Sequence, residues 1–192
     1  MSTIPLLLEY FNSSEILKEE DAKLLLSICE TRILEKGEFF IQEGEFCDEI
    51  AFVASGYFHS YYTSKIQEAI TYCIVFPNDF VSAYSSFISS EKSPISIRAL
   101  SKSEICVFSK KNLTKLINTN SKIQRFFSTL NEKYLIKLEN RFFQLQKEDA
   151  KTRYIWLVEN HPEFILNMPL KLIASYLGIT PRHLSRIRTD IN

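Results

Sequence analysis

Three arginines near the C-terminus have the chemistry and the spacing to contact a polyanion. Arg182, Arg186 and Arg188 lie close together, and the next carboxylate along the chain is Asp190. A separation of four residues places Arg182 and Arg186 on the same face of a helix. A guanidinium can pair with two acceptors on guanine or on phosphate, and a good base contact contributes about 1–3 kcal/mol of discrimination. We expect Arg182 and Arg186 to read base edges of duplex DNA, and Arg188 to meet the DNA backbone.

The segment around these arginines, Pro169 to Ile191, predicts a helix-turn-helix. Gly178 can end a first helix in the left-handed conformation, Thr180 can cap a second helix, and Pro181 fits the first turn of that helix. Small or aliphatic residues occupy the inward positions, which are Ile173, Ala174, Leu177, Leu184, Ile187 and Ile191. The candidate DNA-binding residues are Lys171, Thr180, Arg182, His183, Ser185, Arg186, Arg188 and Thr189. A helical hairpin without a DNA role is the alternative interpretation.

Charge is distributed unevenly along the chain, although the net charge is zero. Residues 1 to 120 hold 11 Lys/Arg against 16 Asp/Glu, whereas residues 151 to 192 hold 6 against 3. Positive charge therefore collects at the end that carries the helix-turn-helix pattern, as expected for a segment that approaches DNA. A solvated helix face can show the same excess, so the charge supports the motif and does not replace it.

A long helix with two apolar faces is predicted before the helix-turn-helix. Ser109 can cap a short helix over Lys110 to Ile117, and Ser121 can cap a longer one that runs to residue 146. The predicted dimerisation residues on the longer helix are Phe127, Leu130, Tyr134, Leu138 and Phe142, beside a second stripe of Phe126, Leu135 and Phe143. Both apolar faces must be buried against other surfaces, and a second copy of the chain can bury one of them. Burial inside a monomer is the alternative.

A polar run separates the long helix from the C-terminal helices. Gln146 to Asp149 contains no apolar residue, and Asp149 can cap a helix over Ala150 to Asn160. We interpret this run as a candidate hinge between the long helix and the DNA-binding segment.

Residues 33 to 108 carry short aromatic and β-branched runs that are separated by turn formers. The runs include Ile50 to Val53, Tyr57 to Tyr62 and Ala69 to Phe76. Gly37, Gly44 and Gly56 lie between strands, where a positive φ is expected. The pattern predicts an antiparallel β-roll or jelly roll, and Glu19 to Ile28 predicts a helix on its outside.

The other reactive side chains form no recognised catalytic or metal-binding pattern. Cys29, Cys47, Cys73 and Cys106 lie far apart without a C-x-x-C pair. We therefore predict free thiols and no metal site, with oxidation sensing as an alternative. Only His59 among the three histidines falls in the β region, whereas an oxygenase barrel needs two or three histidines with a carboxylate. A nucleophile elbow and a P-loop are also missing from the sequence, so we predict that the protein is not an enzyme.

The sequence also predicts a cytoplasmic location without membrane attachment. No stretch approaches the roughly 20 apolar residues of a membrane-spanning helix. Residues 1 to 10 lack the basic region followed by a long apolar region that marks a secretory signal.

The order of β-roll, long helix and terminal helix-turn-helix resembles the Crp/Fnr family of transcription factors, which includes the cyclic-AMP receptor protein. The resemblance spans almost the whole chain. It is carried by Leu34 to Gly44, Ile50 to Gly56, Asn78 to Phe80, Ile173 to Pro181 and Leu184 to Arg188, and the last two segments are the most specific. The resemblance implies a sequence-specific regulator whose partners are double-stranded DNA, a second copy of the chain and RNA polymerase.

The chain departs from the family pattern where the family binds cyclic nucleotides. The family has a Gly-Glu pair after the equivalent of Asp79-Phe80, and an Arg-Ser pair whose arginine holds the cyclic phosphate. Here Ser82 and Ala83 stand in the first place, and Ser93 and Pro94 in the second. A buried phosphate without a counter-ion costs several kcal/mol. We therefore expect a degenerate domain that does not bind cyclic AMP tightly.

No cofactor is predicted. The cysteine cluster of the oxygen-sensing branch is missing from the N-terminal part of the sequence, and one histidine in the roll cannot supply both axial ligands of haem. A different small-molecule effector stays open. Its candidate pocket residues are Ser82, Ala83, Tyr84, Ser93 and Arg98, with Tyr61 and Tyr72 as further possibilities. Ordinary core packing is the alternative for each tyrosine.

These patterns together predict an α+β protein with three parts. The parts are a β-roll or jelly-roll sensor domain over residues 1–120, a dimerisation helix over 121–146 and a helix-turn-helix domain over 147–192. The predicted function is that of a homodimeric DNA-binding regulator. The alternative is a ligand-sensing module that acts through protein partners without DNA.

Overall fold

Two antiparallel sheets form the framework of the first unit in the computed structural model, which describes residues 3–65 and 68–191. One sheet has the order β1 (Cys29–Leu34), β8 (Ser103–Ser109), β3 (Glu49–Ser55) and β6 (Asp79–Val81). The other has the order β2 (Phe39–Ile41), β7 (Ser96–Ala99), β4 (Phe58–Thr63) and β5 (Ala69–Val75). The predicted α+β fold class, with an antiparallel β-roll or jelly roll in the first part of the chain, is confirmed.

The core of this unit is aromatic and centres on β3. This strand pairs with β8 on one side and β6 on the other, and Phe52 and Val53 in it are fully buried. An N-terminal helix that the sequence did not predict, α1 (Thr3–Asn12), adds Tyr10, whose ring centroid lies 5.2 Å from that of Phe52. Burial of such large side chains contributes roughly 2–3 kcal/mol each and stabilises the sandwich.

Gly56 joins β3 to β4 at a position where there is no room for a side chain. Its φ is +85°, and a Cβ built there would lie 2.1 Å from Oγ of Ser103. Gly37 and Gly44 also have positive φ, as the turn pattern predicted.

Four further helices belong to this unit or begin in it. They are α2 (Glu19–Ser27), α3 (Tyr84–Ser89), α4 (Lys110–Thr119) and α5 (Ser121–Lys147). Ser109 caps α4 as predicted, since its side chain accepts from the amide of Asn112. The long helix is capped by Asn120 instead of the predicted Ser121, because Asn120 Oδ1 accepts from the amides of Lys122 (3.0 Å) and Ile123 (3.1 Å).

The start of the long helix is fastened to α2 through the same asparagine. Asn120 Nδ2 donates to the buried carboxylate of Asp21 at 2.8 Å, and Lys122 Nζ lies 3.6 Å from that carboxylate. Burial of Asp21 opposes ionisation, but these contacts and the amide of Lys18 together lower its pKa. The boundary between the two compact units falls after Leu130, inside α5.

The second unit packs four short helices around its own core. They are α6 (Ala150–Asn160), α7 (Pro162–Asn167), α8 (Leu170–Tyr176) and α9 (Pro181–Ile191). Asp149 caps α6 as predicted, with 2.7 Å from Oδ1 to the amide of Thr152. The fully buried side chains of this core are Leu157, Phe164, Ile173, Ala174 and Leu184. None of the described helices is long and apolar enough to cross a membrane.

Candidate nucleic-acid interface

The turn between α8 and α9 has the hydrogen bonds of a Schellman cap. Gly178 has φ +70°; its amide donates to Ser175 O at 3.1 Å, and the amide of Ile179 donates to Ala174 O at 3.0 Å. Two carbonyls that the helix leaves unpaired are thereby satisfied within the turn. The predicted role of Gly178 follows from this backbone conformation.

The start of α9 is built as the sequence predicted. Thr180 Oγ1 accepts from the amide of His183 at 3.2 Å, and Pro181 occupies the first helical position. Leu184 and Ile187 are buried against the rest of the unit. Ile191 was expected to be buried with them, but it is 42% exposed, because the last turn of α9 extends past the core.

The outer face of α9 carries free guanidinium groups. Arg182, Ser185, Arg186 and Thr189 are exposed, as are Thr180 and Lys171, and His183 is half-buried. Within residues 3–65 and 68–191, no carboxylate forms an ion pair with Arg182 or Arg186. Ser185 and Thr189 donate their hydroxyls to the carbonyls one turn earlier, at 3.0 and 3.1 Å. The face can therefore offer two long cations to an anionic partner.

Arg188 differs from the other two arginines of α9. Its Nε donates to the hydroxyl of Tyr154 on α6 at 3.0 Å, and its guanidinium lies 5.9 Å from the centroid of that ring. The side chain is half-buried, so its direction is set before any partner binds. Tyr154 is a positioning residue that the sequence pattern did not reveal.

Two further arginines contact the end of α8, and neither was singled out from sequence. Arg141, on α5, donates through Nη2 to the carbonyl of Tyr176 and stacks 4.1 Å from the centroid of the Tyr176 ring. Arg153, on α6, donates to the carbonyl of Leu177 through Nη2 at 2.9 Å and Nε at 3.2 Å. No local signal marks them, since their acceptors exist only where separate helices end together.

Two of the five candidate ligand-pocket residues are hydrogen-bonded to the protein's own backbone. Ser82 Oγ donates to Glu49 O at 2.9 Å, and Ser93 Oγ donates to Ile95 O at 2.7 Å. Ala83 is fully buried and Tyr84 begins α3, where its ring stacks on Phe87. Burial raises the pKa of Tyr84. None of these four side chains provides a positive charge.

Arg98, the fifth pocket candidate, belongs to a cluster on β4 and β7. It pairs with His59 across the strands, and its guanidinium lies 5.3 Å from the centroid of the Tyr61 ring. His59 is buried, stacks on Tyr61 and has Nε2 2.9 Å from Thr71 Oγ1. Burial, and then the charge of Arg98, lower the pKa of His59 to about 4.

The candidate dimerisation residues do not share one environment. Phe127 lies in the core of the first unit and Leu130 packs against it, so the expected role of Phe127 in a dimer is corrected to that of a core residue. Tyr134 and Leu138 are half-buried, whereas Phe142 is 59% exposed. The other exposed apolar residues of this helix are Leu135, Ile136, Phe143 and Leu145.

No metal-binding cluster of His, Cys, Asp or Glu occurs within the described part of the chain. Cys29, Cys47, Cys73 and Cys106 form no disulfide within the described residues. Cys29 and Cys106 lie on the paired strands β1 and β8, and a hydrogen bond between their side chains lowers the pKa of Cys29 and raises that of Cys106.

Comparisons with known proteins agree with this architecture. Residues 31–120 match the family model described as the cyclic nucleotide-binding domain. FixK2 from Bradyrhizobium japonicum is similar with a TM-score of 0.73 and 18% identity, over 85% of this chain and 84% of that chain. A protein described as a transcriptional regulator of the Crp/Fnr family from Eubacterium rectale has a TM-score of 0.70 and 18% identity, over 95% and 87%.

A third solved structure extends the same likeness. CLP from Xanthomonas campestris, described as a c-di-GMP responsive global regulator, has a TM-score of 0.70 and 15% identity, over 91% of each chain. A search of curated protein sequences gives no significant match. At these identities the solved structures establish a shared fold, and the predicted resemblance to the Crp/Fnr regulators is confirmed at that level.

Proposed function

We propose that this chain, which contains a cyclic nucleotide-binding domain and has the fold of the Crp/Fnr regulators, is a transcription regulator that binds specific sequences in duplex DNA as a homodimer. The observation that carries the proposal is the outer face of α9. It presents Arg182 and Arg186 without a carboxylate partner among the described residues, on a helix whose start is fixed by Thr180 and Pro181. A helix of this kind suits the major groove of DNA.

The three arginines of α9 are assigned different roles. Arg182 and Arg186 are exposed and form no ion pair among the described residues, so each guanidinium can turn towards base edges. Arg188 is already bonded to Tyr154, which leaves a fixed cation suited to the phosphate backbone. Lys171 and His183 add cationic or donor groups near the same face, and Thr180, Ser185 and Thr189 add hydroxyls.

The homodimer is supported by the apolar surface that α5 leaves exposed. Leu135 is 67% exposed, Ile136 56% and Phe142 59%, although side chains of this size are usually buried. Leu135 and Phe142 are seven residues apart and form one exposed stripe, while Ile136 lies about 100° around the helix from it. A second copy of α5 can cover this stripe, and a symmetric dimer would then present two copies of α9 to two half-sites.

We also propose that cyclic AMP is not the effector. Ser93 is buried and uses its hydroxyl on the backbone of Ile95, and no guanidinium stands at that position. The phosphate of a cyclic nucleotide would lack a counter-ion there, which disfavours burial of its charge. Calorimetry should therefore detect no micromolar binding of cyclic AMP, and a micromolar dissociation constant would contradict this part of the proposal.

Selection of bound sequences from random duplex DNA tests the main proposal. A regulator should enrich an inverted repeat with half-sites about one helical turn apart, and its affinity should fall steeply between ~50 and 200 mM salt. The selection is repeated with and without a cell metabolite extract, since an effector would change the enrichment. Binding that is indifferent to sequence and salt would favour the alternative, a ligand-sensing module that acts through protein partners. RNA polymerase is a partner that the fold suggests, and retention of polymerase on the selected DNA would support it.

A further inference from the structure

The polar run Gln146 to Asp149 was the candidate hinge from sequence, but side chains span it in the structure. Arg153 Nη1 donates to Gln144 O at 3.3 Å and also to Glu148 O, and both carbonyls lie where α5 ends. The same guanidinium donates to Leu177 O, where α8 ends. One buried cation therefore joins the end of the long helix to the turn of the helix-turn-helix.

The carbonyls at the end of α8 are fully accounted for. The last four carbonyls of a helix have no partner within it. Here Ala174 O and Ser175 O accept from the turn, while Tyr176 O accepts from Arg141 and Leu177 O from Arg153. Two guanidinium groups from outside the motif thus complete the cap of its first helix.

The positive charges of the two guanidinium groups are compensated mainly by the carbonyl ends of helices. In the part of the chain that the structure describes, neither Arg141 nor Arg153 forms an ion pair. Burial is the main cause that lowers the pKa of Arg153, followed by the charge of Arg141, while Glu148 and Asp149 act in the opposite direction. Partial negative charge at the C-termini of α5 and α8 supplies the compensation.

A packing contact also links the last turns of α5 to the turn between α8 and α9. A Cβ built at Gly178 would lie 3.3 Å from Cδ2 of Leu145, so the last turns of α5 lie directly against the turn before α9. Arg141, Gln144 and Leu145 share one side of α5 at spacings of three and four residues, and Glu148 follows directly after the helix. The long helix therefore holds the motif through several residues along two turns.

We propose that Arg141 and Arg153 lock the break between α5 and α6, so that the last turns of the long helix and the helix-turn-helix move as one body. This inference rests on the proposed function, because its purpose would be to fix the direction of α9 relative to the dimerisation helix. Both arginines are positioning residues that contact no DNA. Any effector-driven reorientation of α9 must then begin outside Gln146 to Asp149.

Amide hydrogen exchange of the free full-length protein tests the lock without DNA. Arg153→Lys and Arg141→Lys keep the charge but lose the planar fork that bridges separate acceptors. In each variant, exchange over residues 146–152 and 176–180 should rise about tenfold, the effect of losing one or two hydrogen bonds. Lys151→Gln, which removes an exposed charge from the same helix, should leave both segments unchanged.

Exchange in β3 and β8 serves as the folding control for these variants. Wild-type exchange rates over residues 146–152 and 176–180 in both lysine variants would overturn the lock. In Arg153→Lys, a rise confined to 176–180 would also overturn it, because Arg153 would then cap α8 without bridging the break.

A DNA readout separates positioning from mere stability. The selected site is compared with the same site carrying one extra base pair between its half-sites. Wild type and Lys151→Gln should bind the original site much more tightly than the lengthened one. Arg153→Lys should lose most of this ratio of affinities but keep its preference for the half-site sequence. An unchanged ratio would overturn the positioning role. Failure of the wild type to bind any DNA would contradict the proposed function but leave the exchange experiment valid.

Discussion

At the scale of single residues, what matters on α9 is whether a guanidinium is free or already bonded. Arg186 has no ion pair among the described residues, while Arg188 is bonded to Tyr154. Free arginines can adapt to a base pair, and a fixed one suits a repeating phosphate. Under the proposed function, a single tyrosine hydroxyl would thereby give arginines of one helix different tasks.

Arg186→Ala should relax sequence preference at one base pair in each half-site. The expected loss of discrimination is about 1–3 kcal/mol, since one bidentate base contact is removed. Arg188→Ala should instead weaken binding to all sequences and lower the salt slope by about 1. Tyr154→Phe removes the hydroxyl that holds Arg188, so its loss of DNA affinity should be of the same kind as that of Arg188→Ala but smaller. Competition binding against a set of single-base variants measures the difference, and a uniform loss with Arg186→Ala would assign that residue to phosphate.

His59 should make the stability of the first unit sensitive to acid. Its folded pKa of about 4 lies below the ordinary value of 6.5, so the unfolded chain binds the proton more readily between these two values. The free energy of unfolding should be unaffected above about pH 6.5 and should fall by roughly 3 kcal/mol as the pH approaches 4. Urea unfolding of the wild type and of His59→Gln checks this, because the variant should lack that part of the pH dependence. Equal slopes, or a His59 ring that titrates near 6.5 by NMR, would contradict it.

At the scale of elements, the turn between α8 and α9 couples a local conformation to a long-range contact. Gly178 needs its positive φ for the Schellman cap, and its missing Cβ makes room for Leu145. The first requirement is visible in the sequence, because it depends on neighbouring residues only. The second depends on where α5 ends, and no spacing rule could have revealed it.

Gly178→Ala should destabilise the second unit by about 1–2 kcal/mol, because an alanine is strained at φ +70°. Contact with Leu145 should add to this cost, and Leu145→Ala in the same chain should remove only that addition. A double-mutant cycle of thermal unfolding measures the two contributions. If Leu145→Ala restored the full stability, steric contact alone would explain the glycine.

Prediction from sequence succeeded for elements that carry their own signals. The caps Ser109, Asp149 and Thr180 were predicted from residue type and position, and each accepts the expected amide. Asn120 was missed as the cap of α5, because Ser121 beside it is equally suitable by type and only the contact with Asp21 decides between them. The helix α7 was not predicted, because the preceding helix was expected to end at Asn160 and no new helix was expected at Pro162, although proline suits the first position of a new helix.

The exposed arginines of α9 were identified from the sequence and the buried Arg153 was not, for a physical reason. An exposed cation next to others of its kind is visible as a charge pattern. A buried cation such as Arg153 is stabilised by carbonyls of distant helix ends, and these acquire their charge only when the helices form. The predicted domain limits at residues 120 and 146 and the roles of the site residues stay predictions.

At the scale of the whole molecule, the exposed stripe on α5 should control assembly. Leu135→Glu with Phe142→Glu should convert a dimer to a monomer, because charge would replace apolar surface at the proposed interface. Sedimentation equilibrium measures the mass, and affinity for an inverted repeat should fall with it. Ile88→Glu is the control, since Ile88 is 59% exposed on α3 and lies outside the stripe. A dimer that survives the double substitution would place the interface elsewhere.

Side-chain hydrogen bonds hold α5 near both of its ends, so the number of residues between them should matter for the proposed function. Asn120 binds it to Asp21 at the start, and Arg141 and Arg153 bind it to the turn at the end. One residue inserted between Asn131 and Leu138 would rotate everything after it by about 100° and shift it by about 1.5 Å. Seven inserted residues would nearly restore the original phase. If the chain acts as proposed, the number of residues in this stretch of α5 should therefore affect DNA binding even though none of them is assigned a DNA contact.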